Sequence, residues 1–245
     1  MRTEIFGVGF DDISPHEALL RAVALATGDG FSYVVTPNPE LVNLARREAD
    51  YRAILNGAAL VLADGIGVIH AARILGCPIQ NGRVPGIDLA QALLPELAAN
   101  GIRLYLLGAK PGVAEEAAAR LAALHPGLIV CGFADGYFDD PAAVAEAIKA
   151  AEAQVAFVCL GAPKQERFMR ECGGMSGAAL MLGLGGALDV FAGTVKRAPP
   201  AFQRLGLEWF YRLLREPRRI GRMIKLPGFL ASALALRLRG GGFHA

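Results

Sequence analysis

The chain has 245 residues, of which 53% are hydrophobic and 20% charged, so it can bury a large core and global disorder is not expected. Its four cysteines and four histidines show no metal-ligand spacing, so neither a structural metal nor a disulfide framework is expected. No stretch approaches the roughly 20 apolar residues that cross a bilayer, and the amino terminus lacks the apolar run of a secretory signal.

Charge is distributed unevenly along the chain. The stretch from Pro200 to Ala245 has nine basic and two acidic residues, a net charge of +7. The rest has 16 basic and 21 acidic residues, a net charge of −5, so the whole chain carries a formal +2. A weakly acidic body with a basic tail suggests that the tail binds an anionic partner.

Short apolar runs alternate with helical patterns over most of the chain. Ser14–Glu17 is a capping box that begins one helix, and Asp140 begins an alanine-rich helix over Ala142–Ala153. This alternation predicts a Rossmann-like α/β fold, in which helices cover both faces of a mainly parallel sheet. The predicted strands are Ile5–Val8, Phe31–Val35, Ala59–Leu62, Arg103–Leu107, Leu128–Cys131, Val155–Leu160 and Ala178–Leu182.

The pattern changes near the carboxyl end. Lys196–Pro200 is rich in helix breakers, and Phe202–Leu214 then shows helical spacing. A short basic segment follows, and after it Phe229–Leu236 is apolar but short. The sequence therefore predicts an α/β domain over residues 1–195 and a basic, amphipathic appendage over residues 196–245.

Asp64 stands at the end of an apolar run. It follows Ala58–Ala63, which predicts a buried strand, and precedes Gly65 and Gly67, which predict a sharp turn into a helix. A carboxylate at the carboxyl end of a strand lies where open α/β sheets bind their ligands. The alternative is a helix N-cap, because Asp satisfies free N–H groups at a helix start.

Polar groups also follow the second predicted strand. Thr36 and Asn38 alternate with two prolines, which hold the hydroxyl and the amide at the rim of the sheet. The alternative is a proline-rich turn in which Thr36 or Asn38 caps the next helix. Arg83 lies before a helix that starts near Gly86, a position that suits a phosphate or a carboxylate. For Arg83 the alternative is a surface ion pair with a nearby acid.

The last two predicted strands end in polar or glycine-rich turns. Gly161 permits close backbone approach, and Lys164 and Gln165 follow it in the first turn of a helix. The alternative is an ordinary polar helix start, but lysine is unfavourable at a helix N-terminus, and this mild conflict adds weight to a functional role. The final strand leads into a glycine-rich turn that contains Gly185 and ends near Asp189.

Tyr137 follows the fifth predicted strand and can stack on a base, although covering the core is the more common use of an isolated tyrosine. With it, five strand ends of one presumed sheet carry polar or glycine-rich motifs. Because the carboxyl ends of parallel strands share one rim, this coincidence predicts a ligand crevice.

Well-understood nucleotide motifs do not account for this crevice. The chain contains no GxxxxGK[ST], no GxSxG and no DxD triplet. Gly183–Gly185 lacks the third glycine of a dinucleotide fingerprint, and Gly7–Gly9 is followed by acids where a pyrophosphate would lie. A nucleotide-sugar-modifying oxidoreductase or epimerase is therefore disfavoured and stays as the alternative enzyme class.

Several segments together resemble the bacterial WecG/TagA/CpsF glycosyltransferases. The resemblance covers nearly the whole chain to about Lys225, in the expected order, and the motifs that carry it do not extend to the segment after Pro227. The segments that carry it are Thr36–Glu40, Ala63–Gly67, Arg83–Leu89, Gly161–Glu166, Gly183–Pro199 and Leu205–Arg219.

The resemblance implies an inverting, metal-independent glycosyl transfer that uses no cofactor. The donor would be a UDP-sugar carrying N-acetylmannosamine, its uronic acid or glucose, and the acceptor a polyprenyl-diphosphate-linked sugar. The enzyme would act in cell-surface polysaccharide biosynthesis, at the inner face of the bacterial cell membrane.

The resemblance also implies roles for the residues at the rim. Asp64 matches the general base that deprotonates the acceptor hydroxyl, and Arg83 and tail arginines would stabilise the leaving diphosphate. The expected catalytic residues are Asp64, Thr36, Gln165 and Arg83. The expected binding residues are Asn38, Gly65, Tyr137, Gly161, Lys164, Gly185, Asp189, Arg212, Arg219 and Arg222.

The appendage then has a physical role at a membrane. Its arginines can bind anionic headgroups, each contributing about 1 kcal/mol near the surface, while Trp209 and Phe210 enter the interface. Docking would fold the appendage over the crevice. One alternative is a helix packed permanently on the domain or on a second subunit. The non-enzymatic alternative is a membrane- or nucleic-acid-binding module, of which the interleaved aromatics favour the membrane.

Overall fold

The computed structural model describes residues 2–199, 201–202, 207–208, 210–211 and 225–239. Among them, six strands form a parallel sheet in the order β4-β3-β8-β7-β5-β6. These strands are β3 (Ser32–Val35), β4 (Leu60–Val61), β5 (Arg103–Gly108), β6 (Ile129–Ala134), β7 (Val155–Cys159) and β8 (Leu180–Gly183).

The first predicted strand, Ile5–Val8, was wrong. This stretch is the turn of an antiparallel hairpin formed by β1 (Arg2–Ile5) and β2 (Val8–Asp11). Phe6 and Gly7 occupy the turn with φ values of 54° and 82°, the left-handed conformation that two-residue hairpin turns require. The apolar run is continuous because Ile5 and Val8 are buried on either side of the turn, not because one strand passes through it.

The helices begin where their cap residues predict. Ser14 Oγ accepts a hydrogen bond from the N–H of Glu17, and Asp140 Oδ1 accepts two from the first turn of its helix. The described helices are α1 (Pro15–Ala26), α2 (Pro39–Arg47), α3 (Ala49–Asn56), α4 (Ile66–Leu75), α5 (Gly86–Ala99), α6 (Val113–Leu124), α7 (Pro141–Ala150), α8 (Lys164–Cys172), α9 (Ala187–Phe191) and α10 (Lys225–Leu238). A 3₁₀ turn at Gly173–Ser176 follows α8.

Helices cover both faces of the parallel sheet, which confirms the predicted Rossmann-like α/β class. Buried side chains of α2, α3, α4, α7, α8 and α10 form one apolar layer, and those of α1, α5, α6 and α9 form the other. Successive strand residues alternate between the layers: Val34 joins the second and Val35 the first. The strands are apolar on both sides because both faces are covered.

The apolar segment Phe229–Leu236 is part of α10, which packs on α4 and α2. Phe229 is 1% exposed, and its ring meets that of Phe6 edge-on with centroids 5.3 Å apart. Arg237 donates from Nη1 to the carbonyl of Leu75 at 3.3 Å, at the carboxyl end of α4. Within the described residues, no helix combines the length and the apolar character needed to span a bilayer.

Candidate active site

A cleft of about 1060 Å³ opens at the carboxyl ends of β3, β4, β7 and β8. The chain leaves β3 into α2 on one face of the sheet, and leaves the neighbouring β8 into α9 on the other. Such a divergence is the topological switch point at which open α/β sheets bind ligands. Seven of the residues singled out from the sequence line the cleft: Thr36, Asn38, Asp64, Gly161, Gln165, Gly185 and Asp189.

Asp64 lies just past the end of β4 and is partly buried at the cleft wall. Its N–H donates to the carbonyl of Pro37 at 3.2 Å, which ties the loop after β4 to the loop after β3. The N-cap of α4 is Gly65, whose φ of 86° suits glycine, so the capping position belongs to the glycine and not to Asp64. Asp64 itself is among the residues that line the cleft.

Asn38 combines the two roles that the sequence left open. Its Oδ1 accepts hydrogen bonds from the N–H groups of Glu40 and Leu41 at 2.9 and 3.2 Å, and so caps α2. The same residue lines the cleft beside Thr36. Thr36 in turn lies close to the start of α5, since a Cβ on Gly86 would come within 3.0 Å of its Oγ1. Thr36 therefore packs against the start of α5.

Gln165 is almost wholly buried and joins two parts of the cleft. Its Oε1 accepts from the N–H of Gly185 at 2.9 Å, and its Nε2 donates to Glu166 Oε1 at 2.7 Å. The two bonds fix which end of the amide faces the glycine-rich turn. Gln165 therefore sets the position of that turn at the cleft floor.

Glu166, next to Gln165, is fully buried, which the sequence did not indicate. Burial raises the pKa of its carboxyl, while the hydrogen bond from Gln165 acts in the opposite direction. Tyr51 is also fully buried, and the pKa of its hydroxyl is raised by burial first and by Glu166 second. The Gln165 amide thus donates to a buried acid.

Lys164 and Tyr137 do not line the cleft. Lys164 donates from Nζ to the carbonyl of Gly136 at 2.8 Å and lies 4.0 Å from the centre of the Phe138 ring. Tyr137 is 71% exposed in the same loop, after β6. Strands β5 and β7 separate β6 from β8 in the sheet, so these two side chains occupy a different part of the rim.

Arg83 also lies outside the cleft lining, although its loop adjoins Asp64 because the N–H of Val84 donates to the carbonyl of Ala63 at 3.0 Å. Arg83 Nη1 lies 3.8 Å from Glu208 Oε2, and Arg197 Nη2 lies 3.2 Å from Glu208 Oε1. Two arginines therefore share one acid of the appendage. Arg212, Arg219 and Arg222, the other expected diphosphate ligands, fall outside the described residues.

Residues of α2 and α10 complete the cleft and were not anticipated. Arg46 and Arg47, in the last turn of α2, and Gly228, Phe229 and Ser232 of α10 also line it. The α2 contribution has a sequence signal, since Glu40, Asn43 and Arg47 recur at helical spacing. The described residues contain no group of three or more His, Cys, Asp or Glu side chains that could hold a metal ion.

Comparison with known proteins identifies the family. The model of the glycosyl transferase WecG/TagA/CpsF family matches residues 3–242. An N-acetylglucosaminyldiphosphoundecaprenol N-acetyl-beta-D-mannosaminyltransferase of Bacillus spizizenii strain W23 is 39% identical over 203 residues, which cover 83% of this chain and 79% of that protein. The transferase of the same name from Bacillus subtilis strain 168 is 37% identical over 201 residues, covering 82% and 78%.

These matches resolve the choice of enzyme class that the strand-end motifs left open. The chain is a transferase of glycosyl groups, not an oxidoreductase or an epimerase. With its cleft at the switch point of a parallel sheet and a match over nearly its whole length, the protein belongs to the WecG/TagA/CpsF family of glycosyltransferases.

Proposed function

We propose that this enzyme transfers N-acetylmannosamine from UDP to the sugar of a polyprenyl-diphosphate-linked N-acetylglucosamine. The transferred sugar and the acceptor follow from the names of the two Bacillus transferases, which match about four fifths of the chain, and UDP as the carrier follows from the family resemblance. The observation that carries the chemistry is the place of Asp64, a carboxylate at the wall of a cleft at the sheet's switch point.

The proposed reaction is a single displacement with inversion. Asp64 takes the proton of the acceptor hydroxyl, and the oxygen forms a bond to the anomeric carbon of the donor sugar. The bond from that carbon to the phosphate oxygen breaks at the same time, and UDP leaves with the electron pair. The proton ends on Asp64 and passes to solvent when the products leave.

The donor is proposed to lie over the turns after β7 and β8. Gly161 and Gly185 have φ values of 74° and 56°, and no neighbouring atom lies within 4 Å of the position of a Cβ on either, so the backbone is open to a close ligand. Gln165 fixes the second turn, and Asp189 borders it. Arg83, with Arg212, Arg219 and Arg222 of the appendage, is proposed to stabilise the departing diphosphate.

The basic appendage is proposed to place the enzyme at the inner face of the cell membrane, where its lipid-linked acceptor resides. Deleting residues 200–245 is a poor test, because it would also remove α10 from the cleft and Glu208 from Arg83. Sedimentation of the intact protein with phosphatidylglycerol vesicles tests the idea instead. Binding that weakens between low and high salt is expected, and no binding at low salt would contradict peripheral association.

The function itself is tested by assaying a panel of UDP-sugars with N-acetylglucosaminyl-diphosphoryl-farnesol, a short acceptor analogue. Transfer from UDP-N-acetylmannosamine, giving an inverted anomeric centre and unchanged by EDTA, is the expected result. Exclusive transfer of glucose or of the uronic acid would overturn the donor assignment. Inactivation by EDTA with recovery on adding Mg²⁺ would overturn the metal-independent mechanism.

A further inference from the structure

The cleft continues from Asp64 along α2. Residues Glu40, Asn43 and Arg47 lie on the same side of α2 and line this extension. The facing wall is α10, through Gly228, Phe229 and Ser232. A groove therefore runs from the catalytic rim towards the carboxyl end of α2.

Two arginines stand at the far end of this groove. Among the described residues that line the cleft, the basic ones are Arg46 and Arg47, both in the last turn of α2. The acids that share the lining, Glu40, Asp64 and Asp189, belong to the first turn of α2, to the rim and to α9. Positive charge is thus concentrated at one end of the groove.

Arg46 is held in place at that end. Its guanidinium carbon lies 4.2 Å from the centre of the Phe6 ring, and its Nη1 donates to Asn43 Oδ1 at 3.3 Å. Phe6 in turn packs against Phe229 of α10. The stack orders the side chain although the arginine itself is exposed, and it links the guanidinium to both walls of the groove.

The length of the groove matches a sugar diphosphate. Arg46 lies seven positions after Pro39, at the rim, and at the rise of an α-helix this is about 10 Å. A pyranose ring followed by two phosphate groups also spans on the order of 10 Å, since each bond adds roughly 1.2–1.5 Å along the path. A sugar hydroxyl at Asp64 would therefore place its diphosphate beside the arginines.

We infer that Arg46 and Arg47 bind the diphosphate of the lipid-linked acceptor. The inference rests on the proposed function, which supplies that acceptor. Guanidinium groups bind phosphate oxygens through paired, charge-assisted hydrogen bonds. The donor diphosphate is the less suitable ligand, because the glycine turns proposed to hold the donor follow β7 and β8 at the carboxyl edge of the sheet, whereas the arginines lie in the last turn of α2.

Two other uses of these arginines need to be separated from this one. Basic side chains in a last helical turn stabilise the helix dipole, and exposed arginines bind the headgroups of an anionic bilayer. Arg73 is the matched control for both uses. It is exposed in the last turn of α4 and does not line the cleft.

The experiment compares wild type, Arg46→Gln, Arg47→Gln, the double variant and Arg73→Gln. Binding of N-acetylglucosaminyl-diphosphoryl-farnesol is measured by calorimetry without turnover, and transfer is measured with the same compound. We expect the double variant to bind this probe at least about tenfold more weakly and to raise its KM in proportion. The KM for UDP-N-acetylmannosamine and the unfolding temperature should stay near wild type, as should every value for Arg73→Gln.

Unchanged probe binding in a folded double variant would overturn the inference, and so would a raised donor KM with an unchanged acceptor KM. Loss of binding to phosphatidylglycerol vesicles with intact probe binding would assign the arginines to the bilayer and overturn it as well. Arginine-dependent probe binding without transfer of any UDP-sugar would sustain the subsite and defeat the proposed function. Transfer of the sugar combined with probe binding that does not depend on the arginines would support the proposed function and overturn the subsite.

Discussion

The side-chain oxygen of Gln165 accepts a hydrogen bond from the N–H of Gly185 at 2.9 Å, and so joins the first turn of α8 to the glycine-rich turn after β8. The other end of the same amide donates to the buried Glu166. This pair of bonds makes Gln165 a positioning residue for the turn that is proposed to meet the donor.

Gln165→Met keeps the side-chain volume and removes both hydrogen bonds. We expect the free energy of unfolding to fall by about 1–3 kcal/mol, because Glu166 loses its donor and the N–H of Gly185 its acceptor. The KM for the UDP-sugar should rise more than the KM for the acceptor. Urea unfolding and steady-state kinetics measure the two effects. Gln80→Met, at an exposed position, is the control, and equal changes in both KM values would contradict a specific effect on the donor turn.

Glu166 should make stability depend on pH. Burial raises the pKa of its carboxyl above the ordinary 4.5, so the folded protein holds the proton more tightly than the unfolded chain. The stability that this group contributes is then present in full below pH 4.5 and is lost as the pH rises through the folded-state pKa.

Glu166→Gln keeps an acceptor for Gln165 and stays neutral at every pH. The difference in unfolding free energy between variant and wild type should therefore move in favour of the variant as the pH rises above 4.5. Urea unfolding at a series of pH values measures this difference. If the difference between variant and wild type stays constant from about pH 4 to about pH 8, the pKa of Glu166 is not raised.

Phe229 connects α10 to the body of the protein. Phe229→Ala should lower the unfolding free energy by about 3–5 kcal/mol, because it leaves a cavity against Phe6 and α4. Leu234→Ala, at a position in the same helix that is 52% exposed, should change it by less than about 0.5 kcal/mol. Equal effects of the two variants, measured by thermal unfolding, would contradict a packed α10.

Arg83 and Glu208 are suited to a double-mutant cycle. We expect Arg83→Gln to lower kcat by about tenfold more than Glu208→Gln, since Arg83 is proposed to act on the leaving diphosphate while Glu208 positions it. The double variant should lose no more than Arg83→Gln alone. If the two single variants have equal effects, Arg83 serves only to bind the appendage.

Features that depend on local sequence could be predicted. Neighbouring residues alone determine the apolar runs at β5 and β7 and the caps at Ser14 and Asp140. The shared position of the strand-end motifs follows because the carboxyl ends of parallel strands lie on one rim of the sheet. The hairpin at Phe6 was missed because a continuous apolar run hides the turn. Predicting the hairpin would have required reading Gly7 as part of a turn.

Features that depend on distant partners could not be predicted. The local sequence predicts that Glu166 is an exposed residue in the first turn of a polar helix. It is buried near Tyr51 because α3 and α8 pack together, which the local sequence does not show. An ion pair was the alternative for Arg83, but its partner, Glu208, is far away in the chain and could not be named from the sequence. Arg46 was passed over because its place depends on Phe6 and on where α10 lies.

The most direct test of the account is Asp64→Asn, assayed with UDP-N-acetylmannosamine and N-acetylglucosaminyl-diphosphoryl-farnesol, with the exposed Asp29→Asn as control. We expect kcat to fall by about 10²–10⁴-fold, the range for losing a general base, while the affinity for UDP and the unfolding temperature stay near wild type. Transfer at the wild-type rate by folded Asp64→Asn would remove this carboxylate from the mechanism.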